Sequence, residues 1–413
     1  MRYGCIGKKL THSFSKEIHA LLGNEEYELC EIPPEALDAF LTKKEFTAIN
    51  VTIPYKEAVL PYLFETDEGV RRIGAANTVV NRGGKLYGYN TDFYGMRALF
   101  SHLGLSPAGK KVAILGTGGT SKTARAVAES LGAKEILRIG RTGKEGALTY
   151  EALRKEHNDI EILINTTPVG MFPNAEETPL DLSFFPSLCG VIDAVYNPLS
   201  TRLILEARER GIPAEGGLYM LIAQGVRASE IFLDTVYPAG TVERIYGILK
   251  GRKENIVLVG MPSSGKSTVG ALLSARTGRP FVDTDERIKA SHGAIPALFA
   301  SVGEAGFRRI EAEIIKKEIA PLTGSIIATG GGSVLSDENV KYLLQNGRIY
   351  FLNRPLSLLT PTDDRPLSSD KEAMEARYLE RLPRYRAACD AEILSEGTAE
   401  ETATAILKEF EDR

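Results

Sequence analysis

The chain has 413 residues, enough for two to three domains, and its 43% hydrophobic and 25% charged content is typical of a globular protein with a sizeable core. With 50 basic and 54 acidic residues, the formal net charge is −4, and no long basic run is present. This composition excludes a disordered chain, and nucleic acid is not expected as a partner.

The cysteines and the N-terminus give no sign of export. The four cysteines lack Cys-X-X-Cys spacing, so neither a disulfide framework nor a structural zinc site is indicated. No basic segment followed by an apolar one precedes the strand-like residues 2–7, and no apolar run reaches the roughly 18 residues of a membrane span. We therefore expect a cytoplasmic protein with no membrane partner.

In chain order, the first 100 residues alternate short apolar runs with helical patterns, which predicts an α/β lobe. Pro54 marks the end or edge of a strand and so places Thr52 and Lys56 where a loop begins. Polar clusters follow glycines or strands at residues 11–15, 50–56, 74–78 and 88–92. Each cluster alone is typical of a turn or a helix cap.

The next unit reads as a dinucleotide-binding crossover. Residues 110–115 predict a buried strand, residues 116–119 a tight glycine turn, and residues 123–131 a helix whose N-terminus suits a pyrophosphate. The second strand, 135–139, runs into Gly-Arg-Thr-Gly-Lys at 140–144, where an NAD site would carry an acid. Cationic and hydroxyl groups there favour NADP, and the alternative is that they are surface charges on a turn.

Two further strands, at residues 160–171 and 190–198, end in small polar residues, as expected where ligands lie beyond a parallel sheet. A helix is predicted from about residue 216 through Phe232. Another over 241–250 is followed by Gly251, which predicts a helix stop and a short polar linker at 251–254.

The second half opens with a phosphate-binding loop. An apolar strand ends at Gly260, and Gly260, Gly265, Lys266 and Ser267 complete the Gly-X-X-X-X-Gly-Lys-Ser pattern before a helix. No guanine-specific [Asn/Thr]-Lys-X-Asp motif follows, which argues against a GTPase-like switch.

Two acids follow the next strand. Asp283 and Asp285 would project to one side if that strand stayed extended, which suits Mg²⁺ and a hydroxyl nucleophile. The alternative is that both are solvated acids at a strand end.

Seven motifs in residues 1 to about 248 resemble, in order and spacing, those of shikimate dehydrogenases. They are Ser13-Phe14-Ser15, residues 50–56, Asn77-Thr78, Asn90-Thr91-Asp92, residues 116–119, residues 165–168 and Gln224-Gly225. The resemblance implies a two-lobed enzyme with a Rossmann-like NADP-binding lobe, and NADPH-dependent reduction of 3-dehydroshikimate to shikimate.

Position by position, the resemblance makes Lys56 and Asp92 the catalytic pair. A lysine beside a carboxylate can stabilise and protonate the oxygen that becomes negative when hydride reaches a ketone. The implied substrate-binding residues are Ser13, Ser15, Thr52, Asn77 and Gln224. The predicted cofactor-binding residues are Gly116, Gly118, Gly119, Arg141, Thr142 and Lys144. Two positions depart from the family pattern, Lys16 in place of proline and Gly140 in place of asparagine.

Residues 254 to 413 resemble shikimate kinase. The motifs are the phosphate-binding loop, Asp283-Thr284-Asp285, Phe307-Arg308-Arg309, Gly330-Gly331-Gly332, Arg365-Pro366-Leu367 and Tyr385-Arg386. The resemblance implies phosphorylation of shikimate by Mg²⁺-ATP.

The roles that this second resemblance implies cover nucleotide, metal and substrate. Nucleotide binding falls to Gly260, Gly265, Lys266, Ser267 and Thr268, and Mg²⁺ to Ser267 and Asp283. Asp285 would orient or deprotonate the attacking hydroxyl, and Arg365 on a lid would neutralise the transferring phosphoryl group. The shikimate carboxylate would meet Arg308 and Arg386, with Gly331 and Gly332 against the same substrate. Residues 358–361 lack the arginine often found there near adenine.

The predicted fold is α/β throughout, a two-lobed dehydrogenase followed by a P-loop domain of the nucleoside-monophosphate-kinase type. The expected boundaries are 1–104 plus 217–250 for the substrate lobe, 105–216 for the NADP-binding lobe, and 255–413 for the kinase. We expect a bifunctional enzyme of aromatic amino acid biosynthesis that uses NADP(H), ATP and Mg²⁺. The alternatives are a quinate-preferring dehydrogenase, or one half that is a non-catalytic regulatory module.

Overall fold

A computed structural model describes residues 1–10, 14–143, 146–359 and 371–412. Three predicted site residues, Ser13, Lys144 and Arg365, lie outside these ranges. The chain divides into two compact units, the first comprising 1–171, 177–197 and 206–249, and the second 172–176, 198–205 and 250–413. In the described part of the chain, no helix has the length and apolar character needed to cross a membrane.

The first sheet of the first unit has six strands in the order β2-β1-β3-β5-β6-β4. These strands are β1 (Tyr3–Gly7), β2 (Tyr27–Glu31), β3 (Ala48–Val51), β4 (Glu65–Thr66), β5 (Thr78–Arg82) and β6 (Lys85–Tyr89). The central strand β1 is parallel to β2 and β3, whereas β5 is antiparallel to β3 and to β6. Every residue of β1 and β3 is buried, as expected for strands covered on both faces.

Four helices belong to this first part of the chain. They are α1 (Ser15–Leu21), α2 (Leu37–Lys43), α3 (Glu68–Ile73) and α4 (Thr91–His102). The Asn90 side chain caps α4 by accepting a hydrogen bond from the Phe93 N–H, which fixes where that helix begins.

The second sheet of the first unit has five parallel strands in the order β11-β10-β9-β7-β8. They are β7 (Lys111–Leu115), β8 (Glu135–Ile139), β9 (Ile162–Asn165), β10 (Gly190–Asp193) and β11 (Ala214–Glu215). The helices that follow α4 are α5 (Gly119–Ser130), α6 (Tyr150–Glu156), α7 (Arg202–Glu209), α8 (Leu218–Leu233) and α9 (Thr241–Lys253). The strand order reverses between β7 and β9, where open parallel sheets bind ligands at the carboxyl ends.

The second unit is built on one parallel sheet in the order β13-β14-β12-β15-β16. Its strands are β12 (Asn255–Val259), β13 (Phe281–Asp283), β14 (Ile326–Ala328), β15 (Gly347–Asn353) and β16 (Ala391–Leu394). Its helices are α10 (Lys266–Thr277), α11 (Thr284–His292), α12 (Ile295–Ile314), α13 (Asp337–Asn346), α14 (Lys371–Ala388) and α15 (Ala399–Glu411). The central strand β12 is fully buried and leads into the phosphate-binding loop.

The predicted linker at 251–254 is wrong, because α9 continues to Lys253 and β12 begins at Asn255. Gly251 does not end the helix, since the Arg279 guanidinium donates to the carbonyl oxygens of Gly251 and Glu254 and so satisfies the last carbonyls.

The predicted NADP-binding lobe also needs a correction. Residues 172–176 and 198–205 cluster with the second unit instead, because Phe172 packs on the apolar core of that unit and Arg202 pairs with Glu338 at 2.9 Å.

Candidate active sites

Lys56 and Asp92 form an ion pair in the first unit, with 2.6 Å between Lys56 Nζ and Asp92 Oδ2. Lys56 lies in the turn after β3, and Asp92 lies in the first turn of α4, where the helix dipole favours a carboxylate. The two side chains are 31% and 19% exposed, so a ligand can reach them while much of the water is excluded. The pair can present a proton donor to a developing oxyanion.

A buried amide network surrounds this pair. The Thr91 backbone N–H donates to Asn77 Oδ1 at 2.8 Å, and the Thr78 and Thr91 hydroxyls donate to the same oxygen. Because a backbone N–H can only donate, the Asn77 oxygen faces Thr91, and its Nδ2 is left to donate elsewhere. Gln224 Oε1 lies 3.3 Å from Thr91 Oγ1, which places α8 beside the same network.

Two more predicted substrate residues lie on neighbouring elements. Ser15 begins α1, and it lies close enough to the Tyr27 hydroxyl to oppose the rise that burial causes in the pKa of Tyr27. Thr52 follows β3 directly, and its N–H donates to the Ile6 carbonyl oxygen at 2.9 Å, which keeps this residue beside β1.

The predicted cofactor loop follows β7. Gly116 has a φ of +111°, and a Cβ there would lie 2.7 Å from Thr166 Oγ1, so only glycine lets the two loops after β7 and β9 approach this closely. Gly118 is the N-cap of α5 and Gly119 its first residue, so the N–H groups of this helix terminus are available to a phosphate. A Cβ on either glycine would meet only open space, as expected for a cradle that another molecule fills.

The residues after β8 suit a phosphorylated ribose. Arg141 and Thr142 are exposed. Burial raises the pKa of the Tyr150 hydroxyl, and the positive charge of nearby Arg141 opposes that shift. The loop therefore offers a cation and a hydroxyl where an NAD site would carry an acid.

Sequence reasoning missed a buried polar pair in the same sheet. Asn165 and Asp193 end the neighbouring strands β9 and β10, and Asn165 Nδ2 donates to Asp193 Oδ1 at 2.9 Å. The Asn165 amide oxygen accepts from the Thr167 hydroxyl at 2.7 Å, so this pair sets the path of residues 166–168. Asp193 could have been found from the sequence, because a carboxylate at the end of an apolar strand is expected to be buried and to need a polar partner.

In the second unit, the side chain of Lys266 is buried within the loop between β12 and α10. Lys266 is buried, and its Nζ donates to the carbonyl oxygens of Gly260 at 2.9 Å and Met261 at 2.8 Å. Gly265 has a φ of +89° and caps α10, which turns the N-terminal N–H groups of that helix toward the loop. Thr268 follows in the first turn of α10 and is exposed.

Ser267 and Asp283 lie together, with the Ser267 hydroxyl donating to Asp283 Oδ2 at 2.7 Å. The strand that carries Asp283 does not stay extended as predicted, because Asp283 caps α11 by accepting from the Asp285 N–H at 2.9 Å. Asp285 therefore lies in the first turn of a helix. The two acids remain close, but through a capping turn rather than through strand alternation.

The Gly330-Gly331-Gly332 turn is where the second site converges. A Cβ at Gly330 would lie 2.7 Å from Glu311 Oε1 and 2.8 Å from Asp285 Oδ1. A Cβ at Gly331 would lie 2.8 Å from a Pro262 ring carbon, and one at Gly332 would lie 2.3 Å from Arg308 Nη2. Because these glycines have no side chains, the phosphate-binding loop, Asp285 and Arg308 can all approach the same stretch of backbone.

Arg308 is held by a buried carboxylate on its own helix. Glu311 is 1% exposed, and it accepts from Arg308 Nη1 at 2.8 Å and from the Ser333 hydroxyl at 2.6 Å. Burial alone would lower the pKa of Arg308, but the charges of Glu311 and Glu304 outweigh it and raise that pKa. Sequence reasoning missed Glu311, although its i+3 spacing from Arg308 on a helix was visible.

The structure does not bring Arg386 to this site. Arg386 is 54% exposed and pairs with Glu392, at 2.9 Å from Nε to Oε2. Arg381 occupies the site instead, since it is 5% exposed and its Nη1 donates to the Gly331 carbonyl oxygen at 3.1 Å. Its Nε finds no hydrogen-bond partner among the described residues, as expected for a guanidinium that receives an anion.

Tyr385 places Arg381 near Arg308. Its hydroxyl donates to the Gly331 carbonyl oxygen, and the charges of both arginines act on it. Burial still raises the pKa of Tyr385 to about 12. The two guanidinium groups therefore flank the glycine turn, which is the arrangement a small carboxylate needs.

Comparison with known proteins identifies the family to which the first unit belongs. Residues 5–79 match the family model for the shikimate dehydrogenase substrate binding domain. A shikimate dehydrogenase (NADP(+)) from Caldicellulosiruptor bescii is 36% identical over 255 residues, which cover 56% of this chain and 88% of the relative. The chain belongs to the shikimate dehydrogenase family.

Solved structures give the same assignment for the first unit. A chorismate mutase/shikimate 5-dehydrogenase fusion protein from Clostridium acetobutylicum aligns with a TM-score of 0.56 and 32% identity, over 60% of this chain and 96% of that one. Shikimate 5-dehydrogenase from Thermus thermophilus, in complex with NADP(H) and shikimate, aligns with a TM-score of 0.52 and 30% identity, over 60% and 98%.

The second unit has a separate match. Residues 262–411 match the shikimate kinase family model. The expected α/β fold and the pairing of a shikimate dehydrogenase with a shikimate kinase are thus confirmed. The kinase match begins at residue 262, after the match to the dehydrogenase substrate binding domain at residues 5–79.

Proposed function

We propose that this chain reduces 3-dehydroshikimate to shikimate with NADPH and then phosphorylates shikimate with Mg²⁺-ATP to shikimate 3-phosphate. The observation that carries the proposal is the Lys56–Asp92 pair at 2.6 Å, because a family member that had lost its reductase chemistry would not need to keep it. Both family matches make the two reactions successive, since the product of the first is the substrate of the second.

In the reductase, Lys56 protonates the substrate oxygen and Asp92 orients the Lys56 ammonium. Asn77 Nδ2 donates a hydrogen bond to the substrate, because its oxygen is held by Thr91. Ser13, Ser15, Thr52 and Gln224 complete the polar contacts of a hydroxylated carboxylate.

The glycine turn at 116–119 fits a dinucleotide, since α5 offers its N-terminal N–H groups beside open space. NADPH supplies the hydride when it is bound. We propose that Arg141, Thr142 and Lys144 bind the 2′-phosphate, because a cation and a hydroxyl replace the acid of an NAD site there.

In the kinase, Lys266 and the loop N–H groups bind the nucleotide phosphates, and Ser267 with Asp283 holds Mg²⁺ or its water shell. Asp285 accepts the proton of the attacking hydroxyl. Arg308 and Arg381 bind the substrate carboxylate beside Gly331 and Gly332, and Arg365 neutralises the transferring group. The cytoplasm suits such an enzyme, and all four cysteines are unpaired.

The direct test supplies the purified chain with 3-dehydroshikimate, NADPH and Mg²⁺-ATP and measures shikimate 3-phosphate by mass spectrometry. Omission of NADPH should leave 3-dehydroshikimate unchanged, and omission of ATP should stop the reaction at shikimate. A strong kinetic preference for quinate over shikimate in the reverse oxidation would contradict the proposal.

Two variants separate the reactions. Lys56→Ala should lower NADPH oxidation by at least about a hundredfold, since acid–base groups contribute roughly 10²–10⁴-fold, and should leave shikimate phosphorylation intact. Lys266→Ala should do the reverse. Loss of both activities in either variant would contradict two independent sites.

A further inference from the structure

A chain of buried polar side chains runs beneath the substrate residues of the first unit. The Tyr27 hydroxyl donates to Asn50 Oδ1 at 2.7 Å, and Asn50 Nδ2 donates to Thr78 Oγ1 at 3.2 Å. Thr78 Oγ1 in turn donates to Asn77 Oδ1 at 3.1 Å. Ser15 lies close enough to the Tyr27 hydroxyl to affect its pKa, so this hydrogen-bonded series extends from the start of α1 to Asn77 beside β5.

Among these hydrogen-bonded side chains, Tyr27 connects the most distant elements. It lies on β2, and its side chain passes the intervening strand β1 to reach Asn50 on β3. Its ring stacks on His19 of α1 with 3.8 Å between ring centroids, and Ser15, one helical turn earlier, is near enough to affect the pKa of its hydroxyl. Tyr27 is 1% exposed and cannot touch a substrate itself.

We propose that Tyr27 is a positioning residue for the reductase, whose hydroxyl holds Ser15 and, through Asn50, Asn77 in the geometry that binds substrate. The ring fixes where α1 lies, and the hydroxyl fixes which way the Ser15 side chain points. This inference rests on the proposed roles of Ser15 and Asn77. It adds a residue that lies outside all seven sequence motifs.

Tyr27→Phe tests the proposal, because it removes the hydroxyl and keeps the stacked ring. We expect the KM for 3-dehydroshikimate to rise about tenfold, the amount that one buried hydrogen bond to a binding group supplies. The kcat and the KM for NADPH should change by less than about twofold, since Lys56 and the cofactor loop are untouched.

Tyr219→Phe is the matched control. Tyr219 is also buried in the first unit, and its hydroxyl donates to Glu243 Oε1 at 2.7 Å. Neither partner of this hydrogen bond is a proposed substrate residue, so thermal stability should fall in both variants and KM should rise only in Tyr27→Phe.

Ser15→Ala, alone and with Tyr27→Phe, separates the two levels of the argument. Two results would support the proposal. Ser15→Ala should raise the KM for 3-dehydroshikimate, and the KM of the double variant should rise by less than the product of the two single-variant increases. If Ser15→Ala raises KM while Tyr27→Phe only lowers the melting temperature, Tyr27 is merely structural and the inference is wrong. If Ser15→Ala itself leaves KM unchanged, the proposed substrate site fails, and the inference falls with it.

Discussion

The choice between Arg381 and Arg386 gives the sharpest prediction for the kinase. Arg381→Lys keeps the charge but removes the planar fork that binds a carboxylate through two parallel hydrogen bonds. Arg381 is buried against the Gly331 carbonyl. Losing one partner of a buried charge pair costs roughly 2–5 kcal/mol of binding free energy, and we expect the lower part of that range because lysine keeps the charge. About 2–3 kcal/mol corresponds to about a 30- to 150-fold rise in the KM for shikimate.

The matched control is Arg386→Lys, the same change five positions on along α14. Because the Arg386–Glu392 pair is exposed, this variant should leave stability almost unchanged and the KM for shikimate within about twofold. The assay couples ADP formation to NADH oxidation at saturating Mg²⁺-ATP while shikimate is varied. A large KM effect in Arg386→Lys with none in Arg381→Lys would refute the assignment.

Two further perturbations address stability and the metal. Burial lowers the pKa of His19 from 6.5 to about 4, and the Asn50 side chain opposes the shift. The free energy of unfolding should therefore fall as the pH drops from about 6.5 to 4. The unfolded chain binds the proton first, and the loss should reach about 2 kcal/mol between pH 7 and pH 5. His19→Phe, which keeps the stacking, should show a shallower loss in calorimetry of the full chain, and an equal slope would contradict this account. Ser267→Ala should raise the Mg²⁺ concentration for half-maximal kinase activity by about tenfold, because it removes a predicted ligand and the hydrogen bond to Asp283. An unchanged Mg²⁺ titration at fixed ATP would count against that site.

Local patterns were enough to predict both folds, and the same motifs supplied the candidate site residues. The phosphate loop is a short run in which each glycine and the lysine has one geometric purpose, so spacing alone specifies it. Lys56 and Asp92 lie far apart in the chain, but each follows a strand end or a helix cap that the sequence marks. The structure then places them 2.6 Å apart.

These assignments were wrong because a sequence pattern does not show which way a side chain points or what it contacts. Arg381 and Arg386 lie on one helix five residues apart, about 140° around its axis, so only packing decides which faces the site. Asp285 was placed on a strand although Asp283, followed three residues later by Glu286, is a pattern typical of a helix N-cap. Gly251 was read as a helix stop because the capping guanidinium comes from Arg279, beyond α10.

The triple-glycine turn has a consequence for how the kinase can vary. A single methyl group at Gly330 would press on Asp285 and Glu311, one at Gly331 on the phosphate loop, and one at Gly332 on Arg308. An alanine substitution at any of these positions should therefore displace the proposed general base, the nucleotide loop or the proposed carboxylate-binding arginine without changing a functional group. Neutral substitutions in this turn should therefore lower kinase activity.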